Sequence, residues 1–169
     1  GTLLLGGTGA FIAFFYPKQT SKFGSLITAP VTVSDIKAAP SDVVRVREGK
    51  FYISPFTIAD GPNKGKLAIM ALYWKCKHLG CTVPWKPDED FNGNAGIFHC
   101  PCHGSIYLRT GQNVAGPAPA PLDYITITFE GQTIIVRPKP AAVQKRVKYA
   151  SQQATGPPPP DAGGPTHRP

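Results

Sequence analysis

The chain is organised around two short stretches, Cys76-Lys77-His78-Leu79-Gly80-Cys81 and Cys100-Pro101-Cys102-His103-Gly104-Ser105. Together they contain all 4 cysteines of the chain and two of its 4 histidines. Thiolates and imidazoles are the side chains that bind zinc, copper and iron most readily. The chemistry of the protein is therefore expected to lie in these stretches, and the fold is expected to bring them together.

Each stretch supplies one cysteine and one histidine at close spacing, Cys76 with His78 and Cys100 with His103. Two sulfur and two nitrogen donors suit one tetrahedral zinc ion. They also suit a cluster of two irons and two sulfides, with the cysteines on one iron and the histidines on the other. The donor set alone leaves both possibilities open. His99 and His167 lie outside the motifs, and neither is expected to bind a metal.

The two further cysteines, Cys81 and Cys102, bear on this choice. Beside a plain zinc site they would be idle thiols, whereas as a disulfide they would clamp the two stretches together. The complete patterns, C-x-H-x-G-C and C-P-C-H-G-S, resemble letter for letter the paired motifs of the Rieske iron-sulfur protein family. The resemblance implies a Rieske [2Fe-2S] cluster and a disulfide between Cys81 and Cys102.

The same resemblance gives each ligand a role. It implies that Cys76 and Cys100 ligate the inner iron, and that His78 and His103 ligate the outer iron at a partly exposed tip. Histidine ligands raise the reduction potential above that of all-cysteine clusters. The resemblance further implies that His103 hydrogen-bonds a quinol hydroxyl. Proton and electron uptake would then be linked, because reduction restores the basicity of a bound imidazole.

Several residues near the motifs are expected to tune or cover the cluster. Ser105 and Tyr107 occupy the positions from which, in the family, hydroxyl groups reach a bridging sulfide and a cysteine sulfur. Such hydrogen bonds raise the potential, so the pair predicts the high-potential class that oxidises ubiquinol or plastoquinol. By resemblance Leu79 contributes to an apolar rim at the tip. A proline-rich loop is expected to cover the cluster from a third side, through Gly116, Pro117 and Pro119.

The extra cysteines also indicate a branch of the family, since Rieske ferredoxins and ring-hydroxylating oxygenases typically lack them. The chain is similar to the Rieske subunit of cytochrome bc-type complexes. This implies an electron-transfer subunit of a dimeric, multi-subunit quinol:cytochrome c or plastocyanin oxidoreductase, not catalytic alone. Its partners would be a cytochrome b-type subunit, a c-type haem subunit, quinol and a membrane. Two alternatives remain: a Rieske subunit of another oxidoreductase, arsenite-oxidase-like or ferredoxin-type, and a structural zinc module.

The region 28–138 consists of short β segments separated by glycine and proline, without helical spacing over more than two turns. This pattern predicts an all-β head. The resemblance makes the head an antiparallel β sandwich with a small cluster-binding subdomain at about residues 75–121. The nearly all-apolar run Leu67–Trp74 predicts a central strand, and the alternation on both sides of Gly131 predicts a hairpin.

Two further local patterns predict one strand and one loop. Val31 and Val33 alternate with polar residues and predict a strand that includes both. The polar, turn-rich segment Lys86–Gly96 contains three consecutive acidic residues and predicts a solvated loop between the two motifs.

The ends of the chain differ from the head in composition. Residues 1–17 are apolar and charge-free. They predict the end of a transmembrane helix that is truncated in this chain, with the apolar region of a signal peptide as the alternative. Residues 18–27 are polar and predict a flexible hinge. Residues 139–169 are basic and proline-rich and predict an extended tail.

Charge and cysteine chemistry bear on partners and compartment. The formal net charge is +8, but no basic stripe is interleaved with aromatic residues, which argues against nucleic-acid binding. A disulfide requires an oxidising compartment. The head is therefore expected on the outer side of the membrane, whether periplasmic, lumenal or equivalent.

Overall fold

The structure, a computed structural model, describes residues 24–138 and 143–144. The predicted membrane-helix end, residues 1–17, lies outside the described residues. So do residues 18–23 of the predicted hinge and all of the predicted tail apart from Val143 and Gln144. Within the described ranges, no helix is long and apolar enough to cross a membrane.

Strands dominate the described residues, with one short helix among them. In chain order the elements are β1 Ile27–Thr32, α1 Val33–Ala38, β2 Val44–Val46, β3 Phe51–Thr57, β4 Leu67–Tyr73, β5 Trp85–Phe91, β6 Asn94–His99, β7 Ile106–Tyr107, β8 Asn113–Ala115, β9 Tyr124–Ile125, β10 Ile127–Glu130, β11 Thr133–Val136 and β12 Val143–Gln144.

The strands form three antiparallel sheets. The first has the order β1-β11-β10, the second β12-β9-β4-β3-β2, and the third β5-β6-β7-β8. The chain passes from the second sheet to the first between β9 and β10, since Ile125 pairs with Ala71 whereas Ile127 pairs with Val136. This change of sheet joins the first two into a sandwich.

The five-stranded sheet is the middle layer of the head. Alternate residues of β3 and β4, such as Phe51 and Ile69, pack against the three-stranded sheet in one hydrophobic core. The residues between them, such as Tyr52 and Met70, pack in a second core with residues of the four-stranded sheet and its loops. Burial on both faces explains why β4 is almost entirely apolar, and the prediction of a central strand there is confirmed.

The prediction of an all-β, antiparallel head with a separate small subdomain is confirmed by this arrangement. The four-stranded sheet β5 to β8 is that subdomain, and the predicted hairpin is β10–β11. Its register pairs Glu130 with Thr133 around Gly131, which has a φ of 59°. Because the second core lies between the five-stranded sheet and the four-stranded sheet, the subdomain packs on the outer face of the sandwich.

The predicted strand through Val31 and Val33 is wrong in its second half. Strand β1 ends at Thr32, and Val33 begins α1. Thr32 and Asp35 form a capping box, in which the Asp35 backbone N–H donates to Thr32 Oγ1 at 3.2 Å and the Thr32 N–H donates to Asp35 Oδ2 at 2.8 Å. Local capping therefore overrides a two-residue alternation.

The predicted loop Lys86–Gly96 is also wrong, because most of it forms the hairpin β5–β6. Asn92 and Gly93 make the turn with φ values of 51° and 83°. An Asn-Gly pair is a strong hairpin signal, and it is present in the sequence. Asp88 and Asp90 are exposed as expected, whereas Glu89 is half-buried and pairs with His99 and Lys86; all three lie on a strand.

Candidate metal centre

The first motif is a tight loop that follows β4, here called loop one (residues 76–81). The Cys76 N–H donates to the Cys81 carbonyl at 2.8 Å, and the Gly80 N–H donates to the Cys76 carbonyl at 3.0 Å. Gly80 has a φ of 77°, a conformation that favours glycine. These bonds fold the loop back on itself at the edge of the head.

The second motif, loop two (residues 100–105), follows β6 and repeats the same backbone pattern. The Cys100 N–H donates to the Ser105 carbonyl at 2.8 Å, the Gly104 N–H donates to the Cys100 carbonyl at 3.0 Å, and Gly104 has a φ of 72°. Both loops therefore place a cysteine at their first position and a positive-φ glycine at their fifth. The glycines of the two motifs are explained by this shared conformation.

The two loops bring the predicted ligand side chains to one place. Cys76 and Cys100 are buried and take no part in a disulfide. The rings of His78 and His103 lie 4.7 Å apart, centroid to centroid, at 90° to each other. His103 is exposed and His78 is half-buried. The site thus has buried sulfurs and imidazoles that reach the surface.

A disulfide joins the loops through Cys81 and Cys102, with an S–S distance of 2.12 Å. The sulfurs of Cys81, Cys102 and Cys100 lie within 4.8 Å of one another. That proximity does not make a three-sulfur metal site, since the two disulfide sulfurs are not thiolates. The donors left for a metal are two thiols and two imidazoles.

A buried nitrogen supports the fit of a His-ligated [2Fe-2S] cluster to these residues. Among the described residues, no atom hydrogen-bonds Nδ1 of His78, although that nitrogen is buried. A buried polar atom without a partner is costly. Iron ligation would satisfy it, and the remaining donors match those of a Rieske cluster.

The two thiols differ electrostatically. Burial tends to raise the pKa of Cys76, but hydrogen bonds from the Tyr107 hydroxyl, the His78 backbone, Cys100 and Ser105 outweigh it, so the pKa is lowered. Burial raises the pKa of Cys100, and the neighbouring Cys76 sulfur adds to that rise. Deprotonation is therefore easier at Cys76 than at Cys100.

The Tyr107 hydroxyl makes two hydrogen bonds at loop one. Its Oη lies 3.1 Å from Cys76 Sγ and accepts the Lys77 N–H at 3.2 Å. A cysteine that ligates a metal is a thiolate and has no hydrogen to give, so toward a ligating Cys76 the Tyr107 hydroxyl must be the donor. Burial and the Cys76 sulfur raise the pKa of Tyr107, which keeps the phenol protonated as a donor.

Ser105 connects loop two to the proline-rich loop. Its side chain is fully buried, and its Oγ accepts the Ala118 N–H at 3.1 Å. Gly116, with a φ of 84°, lies so close that a Cβ there would stand 2.5 Å from Ser105 Cα. Pro117 and Pro119 are exposed beside these contacts. The proline-rich segment is a loop, as the sequence predicts, and it packs directly behind loop two.

Leu79 lies at the outer end of loop one and exposes 70 % of its surface. Leu26 is the other large apolar side chain found exposed among the described residues. An exposed leucine beside two imidazoles makes the tip partly apolar.

Sequence reasoning missed one charged pair at the site. Lys77 Nζ lies 2.7 Å and 2.9 Å from the two carboxylate oxygens of Asp123. The position of Lys77 between two predicted ligands marks it as a candidate site residue. Nothing in the sequence, however, links it to Asp123, 46 positions away. His99, outside the motifs, has Nδ1 2.7 Å from Glu89 Oε2; His167 lies outside the described residues.

Comparison with known proteins gives the following. The family model of the Rieske [2Fe-2S] domain matches residues 29–136. The cytochrome b6-f complex iron-sulfur subunit of Synechococcus sp. (strain JA-3-3Ab) is 30% identical over 144 residues, covering 82% of this chain and 79% of that protein. The same subunit of Synechococcus sp. (strain RCC307) is 33% identical over 143 residues, covering 78% and 74%. A chain of a hyperthermophilic respiratory Complex III structure is 30% identical with a TM-score of 0.46, covering 78% of this chain and 92% of that chain.

Proposed function

The chain belongs to the Rieske [2Fe-2S] domain family, and from this premise we propose that it is the electron-transfer subunit of a quinol-oxidising complex of the cytochrome b6-f or bc type. One observation carries the proposal most directly. Two imidazoles, one exposed and one half-buried, stand 4.7 Å apart in the same two loops as two buried thiols that take no part in a disulfide. The two named Synechococcus relatives are subunits of cytochrome b6-f complexes.

The proposed ligands are the two cysteines outside the disulfide and the two motif histidines. Cys76 and Cys100 would hold the inner iron, and His78 and His103 the outer iron. The buried Nδ1 of His78 supports this nitrogen as the iron ligand. The disulfide between Cys81 and Cys102 would keep the two loops from separating.

When bound, the [2Fe-2S] cluster accepts and releases one electron at a time. Tyr107 donates a hydrogen bond to the Cys76 sulfur, which stabilises the additional negative charge of the reduced state. Ser105 accepts from Ala118, so its own hydroxyl hydrogen is available to donate within the site. Both hydroxyls would raise the reduction potential into the range that suits quinol oxidation.

His103 is the proposed quinol contact because it is exposed at the tip. Its ring nitrogen that is not bound to iron would accept a hydrogen bond from the quinol hydroxyl and then take its proton as the quinol loses an electron. His78 would assist from its half-buried position. Leu79, exposed beside them, would contact the apolar wall of the quinol site.

The partners and location follow from the same proposal. The head would dock on a cytochrome b-type subunit to receive the electron and then move on the predicted hinge, residues 18–27, to a c-type haem subunit. The complex would be dimeric and anchored in a membrane. The disulfide supports an oxidising compartment, and hence a head on the outer side.

The test is to reduce the purified chain with ascorbate and record its electron paramagnetic resonance (EPR) spectrum at low temperature. A rhombic signal with an average g below the free-electron value is expected, because the cluster has histidine ligands and a high potential. A signal that appears with dithionite but not with ascorbate would instead indicate a low-potential, ferredoxin-type Rieske protein. A colourless chain with stoichiometric zinc would contradict the proposal, and co-purification with a molybdenum subunit would favour an arsenite-oxidase-like enzyme.

A further inference from the structure

The ion pair between Lys77 and Asp123 is more buried than the ion pairs that Glu89 makes with Lys86 and His99. Lys77 Nζ contacts both carboxylate oxygens, and the side chains are only 21% and 12% exposed. The Lys86–Glu89 pair, by contrast, is 3.5 Å long, and its side chains are 47% and 41% exposed. Burying a charged group is unfavourable unless it is closely paired. Separating Lys77 from Asp123 would leave both charges partly buried and unpaired, so the two side chains are held together.

Asp123 is fixed to the sandwich at its backbone. Its carbonyl accepts the Tyr73 N–H at 2.8 Å, at the end of β4. The preceding residue, Leu122, is fully buried, and its N–H donates to the Gly111 carbonyl at 2.8 Å. Asp123 therefore offers a rigid anchor just behind loop one.

Lys77 connects Asp123 to loop one through its side chain. Its backbone N–H donates to the Tyr107 Oη, which in turn lies 3.1 Å from Cys76 Sγ. The side chain of Lys77 is thus tied to Asp123, while its backbone orients the hydroxyl that bonds the sulfur. If the tie is removed, the Lys77 N–H can move and the Tyr107 hydroxyl loses its orientation.

We propose that Lys77 and Asp123 are positioning residues that hold loop one so that Tyr107 bonds the Cys76 sulfur, and that they set the reduction potential through this bond rather than by their own charges. The two charges lie in contact and largely cancel at a distance. The inference rests on the proposed ligation of the cluster by Cys76.

The signs of the potential shifts distinguish the two mechanisms. The reduced site carries one more negative charge, so a direct charge effect would make Lys77→Met lower the midpoint potential and Asp123→Asn raise it. A positioning effect makes both variants lower it, in the same direction as Tyr107→Phe and by no more. Midpoint potentials are measured by EPR-monitored titration of the full chain with its cluster.

Each variant is also made in the Tyr107→Phe background. With the hydroxyl absent, Lys77→Met and Asp123→Asn are expected to cause no further shift, because the bond through which they act no longer exists.

Asp123→Glu gives a second, milder test that keeps the charge. It is expected to lower the potential part of the way, whereas a direct charge effect leaves the potential unchanged. Lys86→Met, which removes a cation from the same subdomain, is the control and should keep the wild-type potential.

Opposite shifts from Lys77→Met and Asp123→Asn, unchanged potentials, or equal shifts with and without the Tyr107 hydroxyl would each overturn this inference. If the stronger variants do not retain the cluster, the Asp123→Glu potential decides. A wild-type chain without the rhombic signal would instead overturn the proposed function. A normal wild-type signal with unresponsive variants would overturn the positioning role alone.

Discussion

At the scale of single residues, hydrogen bonds to sulfur are the main determinants of the proposed chemistry. The Tyr107 hydroxyl accepts from the Lys77 N–H and lies 3.1 Å from the Cys76 sulfur, to which it donates once Cys76 is a thiolate ligand. Ser105 is fully buried and hydrogen-bonded to the proline-rich loop. These contacts stabilise negative charge on sulfur, as the lowered pKa of Cys76 indicates: its hydrogen bonds outweigh the effect of burial.

Tyr107→Phe is predicted to lower the midpoint potential while the cluster stays assembled. If the hydrogen bond is stronger to the reduced site by about 1 kcal/mol, the midpoint falls by roughly 40 mV for a one-electron couple. Ser105→Ala should act in the same direction. A redox titration measures both, with Tyr124→Phe as a control outside the loops. Wild-type potentials in both variants would show that the hydroxyls do not tune the site.

Gly116→Ala is predicted to be strongly destabilising. The residue has a φ of 84°, and a Cβ would stand 2.5 Å from the backbone of Ser105, which cannot easily move. The loss should be on the order of 3 kcal/mol or more, in the range of severe overpacking.

Gly131→Ala is the matched control for that prediction. Gly131 also has a positive φ, 59°, but has open space around it. Its loss should be about 1 kcal/mol, from backbone conformation alone. Urea unfolding of the two variants compares the free energies directly, and equal losses would mean that the close approach to Ser105 is unimportant.

At the scale of elements, loops one and two have the same pattern of backbone hydrogen bonds and are joined by one disulfide. Each loop is short and has little core of its own, so its shape depends on its internal bonds and on the bridge. Cys81 and Cys102 are separated by 21 positions along the chain. Cross-linking a segment of this length restricts the unfolded chain considerably.

Replacing both bridge cysteines, Cys81→Ser with Cys102→Ser, is predicted to lower the free energy of unfolding by about 3 kcal/mol. The cluster should also be lost at a lower temperature, because the two ligand loops are free to separate. Thermal unfolding followed by the visible absorption of the cluster measures both effects. A double variant with wild-type stability would show that the bridge contributes nothing.

At the scale of the whole molecule, the head consists of three layers with two cores. One core lies inside the sandwich, and the other lies between the middle sheet and the subdomain. Cys76 and Cys100 belong to the second core. The stability of the subdomain is therefore expected to depend on the candidate metal site more directly than that of the sandwich core, which contains neither cysteine.

Removal of the cluster is predicted to loosen the subdomain and spare the sandwich. Hydrogen exchange of the apo-chain should show faster exchange at the amides of Cys76, Gly80, Cys100 and Gly104, which close the two loops. The amides of β10 and β11 should keep their protection. Uniform loss of protection across the head would mean that the two cores unfold as one unit.

Much of the site was predictable because metal binding depends on residue type and local spacing. The two motifs and the family resemblance are enough to predict the candidate ligands and the cluster type. Patterns of apolar residues likewise predict the central strand β4 and the hairpin β10–β11. The Asn92–Gly93 turn has a recognisable signal too, although the polar residues around it favour the prediction of a loop.

The sequence by itself thus determined the candidate ligands, the all-β class and the positions of loops one and two. The tertiary structure alone decided which distant residues support them: the Asp123 carboxylate behind Lys77, the Ala118 N–H on Ser105 and the closeness of Gly116 to loop two. The physical reason is that ligand spacing and strand alternation are local properties of the chain. Contacts between segments far apart in sequence depend on how the sheets stack, and no local pattern records that.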